Sequence, residues 1–137
     1  MGVENRKQSK GSVLVESAVA AGFPSPAGDY LEAPLDLNEL LIPHPASTFF
    51  IRAGGESMSG ASIQDGDLLI VDRSLQTRHK DIVVAVVDGE FTVKRYVTDI
   101  NGKRLIPANN EYKPIVITAD NELEIWGVVT YVIHKSR

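Results

Sequence analysis

The chain has 137 residues, of which 43% are hydrophobic, 23% charged and 7% aromatic; that suits one domain with a buried core and excludes a disordered chain. With 14 Lys and Arg against 18 Asp and Glu, the net charge is −4, so the bulk composition lacks the basic footprint of a nucleic-acid binder. The absence of cysteine excludes disulfides, thiol nucleophiles and thiolate metal sites, and no apolar run approaches the ~18 residues of a membrane helix.

At the start of the chain, Arg6, Lys7 and Lys10 resemble the charged beginning of an export signal, and Ala18-Val19-Ala20 its cleavage site. Glu16 interrupts the segment before an apolar stretch of about seven residues can form, so the expected location is cytoplasmic. Residues 1–46 read as an extended N-terminal arm, rich in Gly, Ser, Ala and Pro. Pro24 and Pro26 fix their own φ and push the residues before them towards extended geometry, which makes Phe23-Pro24-Ser25-Pro26 an accessible, non-helical segment. Asp36-Leu37-Asn38-Glu39-Leu40-Leu41 allows one short helical turn capped by Asp36.

Residues 47–137 read as a β-rich domain. Strands are predicted over Phe49–Arg52, Asp67–Val71, Ile82–Val87, Phe91–Val97 and Ile125–Ile133, because β-branched and aromatic runs alternate there with turn signals. Asp88-Gly89 and Asn101-Gly102 are hairpin dipeptides, and Asp65-Gly66 marks another turn. The fold expected is mostly β: a compact, curved or barrel-like antiparallel sheet carrying the N-terminal arm.

The candidate chemistry is sparse. His44 lies between two prolines, His79 in a charged loop and His134 after the last strand; none has metal-site spacing, though residue order alone leaves a Ser-His-Asp triad open. Asp65, Asp67 and Asp72 lack the alternation, the sixth-position Gly and the closing Glu of a calcium loop, so a turn followed by a buried strand accounts for them. No metal or cofactor is expected. Gly54-Gly55-Glu56-Ser57-Met58-Ser59-Gly60 is the most unusual stretch. It lacks the lysine of a phosphate loop. A serine there is a candidate nucleophile, but on composition alone a flexible turn is the better account, since Gly and Ser dominate turns. Alternation places Thr92, Lys94 and Tyr96 on one strand face and Phe91, Val93 and Arg95 on the other. Either face can be the buried one. A solvated Lys94 is merely a surface charge, whereas a buried one loses its proton more readily and can act as a base.

The arm contains Ala21-Gly22-Phe23-Pro24-Ser25-Pro26-Ala27, Asp36-Leu37-Asn38-Glu39-Leu40-Leu41 and His44-Pro45, and Gly55-Glu56-Ser57-Met58 follows. Further on stand Asp65-Gly66-Asp67-Leu68-Leu69-Ile70-Val71-Asp72, Asp88-Gly89-Glu90-Phe91-Thr92-Val93-Lys94 and Ile125-Trp126-Gly127-Val128-Val129. In these motifs, from about Ala20 to Val132, the chain resembles the LexA/UmuD family of self-cleaving serine peptidases. The resemblance implies a Ser-Lys dyad, with Ser57 as nucleophile and Lys94 as general base, and it implies self-cleavage at Ala21-Gly22. Small residues at that bond let its carbonyl approach a narrow cleft. The backbone N–H groups of Glu56 and Ser57 are the candidate oxyanion donors.

The activity the resemblance implies is autoproteolysis in the SOS response, stimulated by the RecA filament on single-stranded DNA. The processed form is then expected to join a UmuC-like Y-family DNA polymerase in error-prone translesion synthesis, with the protein a homodimer that has no membrane association and little direct DNA binding. No counterpart of the helix-turn-helix domain of the LexA repressors is expected in residues 1–46, which also carry the cleavage segment. Two other readings compete: a non-catalytic dimeric accessory protein with a relic dyad, and a signal-peptidase-like protease.

Overall fold

A computed structural model of the chain describes residues 12–15, 31–54, 63–108, 113–118 and 123–137. The chain divides into two compact units, Met1–Pro43 and His44–Arg137.

In the first unit, β1 (Ser12–Val15) pairs antiparallel with β2 (Leu31–Leu35), with an irregularity between Val13 and Val15. This ribbon is absent from the sequence reading, which gave the region an extended arm and one helical turn. Pro34, opposite Val13, is tolerated because both strands of a two-stranded ribbon are edges. The helical turn is present as α1 (Leu37–Leu41), and the Asp36 carboxylate accepts the Asn38 N–H at 3.0 Å as its N-cap. Phe23-Pro24-Ser25-Pro26 lies outside the described residues.

The second unit begins with a 3₁₀ turn at Pro45–Ser47. Among the described residues seven strands follow: β3 (Thr48–Arg52), β4 (Leu68–Asp72), β5 (Ile82–Val87), β6 (Glu90–Asp99), β7 (Gly102–Ile106), β8 (Ile115–Val116) and β9 (Leu123–Ile133). They form one antiparallel sheet in the order β3-β4-β9-β5-β6-β7-β8. Among the described residues the sheet is open, since its edge strands β3 and β8 do not pair with each other, so the barrel-like expectation is met as a single antiparallel sheet. The last strand in sequence is central: β9 pairs with β4 on one side and β5 on the other, with a register shift in each pairing.

The hairpins show how local chemistry sets register. Val87 pairs with Glu90, leaving Asp88 and Gly89 as a two-residue loop with φ of +50° and +83°. Both signs suit a type I′ turn, whose twist matches the strands it joins. In the next hairpin Asp99 pairs with Gly102 and the loop is Ile100-Asn101, one residue earlier than the dipeptide suggested. Gly102 takes the positive φ, and the Asn101 N–H donates to the Asp99 carboxylate at 2.9 Å.

Apolar clusters form on both faces of the sheet. One centres on Leu69, Val71 and Val84, with Ala53 and Ile63 buried beside them; the other contains Val83, Ala85, Tyr96, Leu105 and Val128. Two packed faces explain why Leu68-Leu69-Ile70-Val71 and Ile82–Val87 read as continuous apolar runs rather than alternating ones.

Candidate active site

Lys94 sits in β6 opposite Val83, on the face it shares with Thr92 and Tyr96. Alternation left the choice of face open; the packing of Tyr96 beside Val83 and Ala85 decides it. Lys94 is 8% exposed. Its Nζ donates to Thr92 Oγ1 and, at 3.2 Å, to the Val93 carbonyl. Burial pulls the Lys94 ammonium below the ordinary lysine range, because the charged form loses more hydration than the neutral amine. A neutral amine held by a neighbouring hydroxyl is equipped to accept a proton. Thr92 is the residue that sequence reasoning passed over. Its signal was present, since it stands two positions before Lys94 on the same strand face.

Ser57 and Glu56 lie outside the described residues, as do Ala21 and Gly22. On either side of the Ser57 segment the chain is fastened by backbone hydrogen bonds. Ala53 N–H donates to the Asp67 carbonyl at 2.8 Å and Gly66 N–H donates to the Ala53 carbonyl at 2.7 Å. Asp67 N–H closes a turn onto the Gln64 carbonyl at 3.0 Å, with Gly66 at φ +90° within it. Ala53 and Ile63 are buried in the same cluster as Leu69. The Asp67 carboxylate, 2% exposed, accepts the Gln64 N–H at 2.8 Å and pairs with His134 Nδ1 at 2.6 Å. The Gln64 N–H and then His134 hold this carboxylate below the usual range, against the upward pull of burial.

The other carboxylates and histidines resolve into structural roles. Asp67 precedes β4 and Asp72 ends it, each bonded to a different histidine. Among the described residues no group of three or more His, Cys, Asp or Glu side chains is placed to hold a metal. Asp72 pairs with His44 Nδ1 at 2.6 Å and accepts from Ser47 Oγ at 3.0 Å, Ser74 Oγ at 2.7 Å and Ser74 N–H at 2.8 Å. Burial raises this carboxyl, but the bonds from Ser74, His44 and Ser47 outweigh it and leave Asp72 well below the usual range. His44, Asp72 and the two serines do not form a catalytic triad: both hydroxyls donate to the carboxylate, and Ser74 Oγ lies 3.4 Å from the same Nδ1 that faces Asp72. In a triad the serine would meet the other ring nitrogen. His79 accepts the Thr98 N–H at 3.1 Å and so fastens a loop to β6.

Residues 13–130 match the family described as Peptidase S24-like. Protein ImpA of Salmonella typhimurium is 51% identical over 117 residues, covering 85% of this chain and 79% of that protein. Protein MucA of Escherichia coli is 47% identical over 114 residues, 82% of this chain and 77% of that protein. The LexA repressor of Colwellia psychrerythraea is 34% identical over 136 residues, 98% of this chain and 64% of the repressor. Among the described residues no helix is long and apolar enough to cross a membrane.

Proposed function

The chain belongs to the Peptidase S24-like family of serine peptidases, and from that premise we propose that it is a self-cleaving endopeptidase with a Ser57–Lys94 dyad. Residues 47–137 form the peptidase domain, and residues 1–46 are the arm that carries the substrate bond. The observation that carries the reading is the buried Lys94, with Nζ bonded to Thr92 and its proton affinity lowered by desolvation.

The chemistry follows from that amine. Neutral Lys94 takes the hydroxyl proton of Ser57 as Oγ bonds to the Ala21 carbonyl carbon. The backbone N–H groups of Glu56 and Ser57 receive the oxyanion. Collapse breaks the Ala21–Gly22 C–N bond, and the proton on Lys94 passes to the departing Gly22 amine. Water, deprotonated by Lys94, then hydrolyses the acyl ester and returns Ser57. The products are residues 1–21 and residues 22–137. Thr92 keeps the amine aimed throughout.

The biological setting we infer is the SOS response. The RecA filament on single-stranded DNA stimulates cleavage, and the processed homodimer serves a UmuC-like Y-family polymerase in translesion synthesis. Similarity to ImpA and MucA supports this setting, together with the quoted motifs. An unused buried lysine would burden the fold, which disfavours a relic dyad.

The test is intact mass before and after incubation, at alkaline pH and separately with RecA, single-stranded DNA and nucleotide. A fragment beginning at Gly22 is expected from wild type and none from Ser57→Ala. A different new N-terminus would overturn the site, and cleavage by Ser57→Ala would overturn the dyad.

A further inference from the structure

We propose that His134 is a positioning residue for the Ser57 segment and acts through the Asp67 carboxylate. The proposal rests on the reading of Ser57 as nucleophile. The chain leaves β3 at Arg52 and enters β4 at Leu68, and Ser57 lies between. Both limbs of that excursion are tied at one place, through the two backbone bonds that join Ala53 to Gly66 and Asp67. The return limb has a second fastening, the Gln64 N–H on Asp67 Oδ2 at 2.8 Å. The other oxygen of that carboxylate is engaged by His134, which follows β9 and comes from a distant part of the chain.

Because Asp67 stays ionised, it can only accept, so the proton on the short contact belongs to His134 Nδ1. The carboxylate thus bridges the return limb of the Ser57 segment and the strand at the centre of the sheet. Without the imidazole, a buried oxygen of Asp67 loses its partner. It must then turn towards water, and Gln64 has to follow. The histidine contributes little packing of its own, since its side chain is 48% exposed. Its main effect therefore falls on geometry at the segment's exit. Small displacements of a nucleophile cost far more rate than stability.

The experiment measures first-order self-cleavage of the full chain against pH by intact mass. The variants are His134→Ala, His134→Gln and His134→Lys, the last two restoring a donor within reach of Asp67. His134→Ala should lower the alkaline plateau about ten- to hundredfold while leaving the pH of the bend, set by Lys94, in place. At least one donor variant should recover to within about threefold of wild type. A His134→Ala rate within about twofold of wild type overturns the proposal, and so does a slow His134→Ala that neither donor rescues. A moved bend with an unchanged plateau overturns it too. Ser57→Ala runs alongside: if it still cleaves, the dyad itself fails, which is a result separate from any behaviour of His134.

Discussion

Replacing Lys94 by Met removes a buried ammonium and keeps much of its length, and the consequence has a definite sign. The folded protein binds the Lys94 proton less tightly than the unfolded chain, whose lysine has an ordinary pKa of ~10.4. Below the folded pKa both states are protonated and the burial penalty is fully present. As pH rises from the folded value towards the unfolded one, the unfolded state binds more protons and the penalty is relieved. Measured in a Ser57→Ala background to prevent cleavage, Lys94→Met should be the more stable protein at neutral pH. Its advantage should close on the alkaline side by at most ~1.4 kcal/mol per pH unit, the limit for one proton. Other lysines and the tyrosines titrate in both proteins and cancel in the difference. Urea unfolding at intervals from about pH 6 to about pH 10.5 gives that difference curve. On the proposed dyad the same proton governs self-cleavage of the Ser57 protein, whose rate should rise about tenfold per pH unit and then flatten at the folded pKa. Thermodynamic and kinetic curves must bend at one pH. A stability difference that stays flat over the range, or bends separated by more than about one pH unit, would refute the assignment of Lys94 as base.

Gly89→Ala places a side chain at φ +83° and should cost about 1–2 kcal/mol in urea unfolding; an unchanged midpoint would mean the β5–β6 turn has another conformation. A Cβ on Gly127 would stand 2.6 Å from Val71 Cγ1, so Gly127→Ala should destabilise by about 1–3 kcal/mol, and Val71→Ala should lessen that loss in the double variant. Asp72 is held below the usual carboxylate range in the fold. Its contribution is therefore complete above the unfolded pKa of ~3.9 and is lost as pH falls through the folded value. Asp72→Asn should be less stable than wild type at neutral pH, with a gap that narrows in acid. A gap of constant size in urea midpoints would contradict this.

Where local chemistry decides structure, the sequence was readable. Ile82–Val87 is bounded by Asp88-Gly89, and β5 has those limits. Asp36 announced the start of α1. The remaining elements depend on distant partners. β7 carries Lys103 and Arg104 and offers no apolar alternation, β8 has only two residues, and the β1–β2 ribbon pairs segments separated by a long excursion. Lys94 could be placed on a face with Thr92, but which face is buried follows from packing against Val83 and Tyr96. The histidine–carboxylate pairs were hidden because 28 residues separate His44 from Asp72 and 67 separate Asp67 from His134. No spacing rule spans such distances.

The central place of β9 has a consequence for synthesis. β3 with β4, and β5 through β8, are consecutive antiparallel partners that can associate as the chain emerges. Among the described residues these two groups share backbone ladders only through β9, the strand translated after all of them. A growing chain therefore carries Lys94 in one unfinished piece and the Ser57 segment in the other, joined by no ladder until the final strand inserts. On the proposed dyad, proteolytic competence would arrive last, as a property of the completed sheet, and a nascent chain would be protected from cutting itself. Truncation after residue 122 should accordingly yield a protein without one cooperative unfolding transition, and a single sharp transition in that fragment would show that the two groups associate without β9.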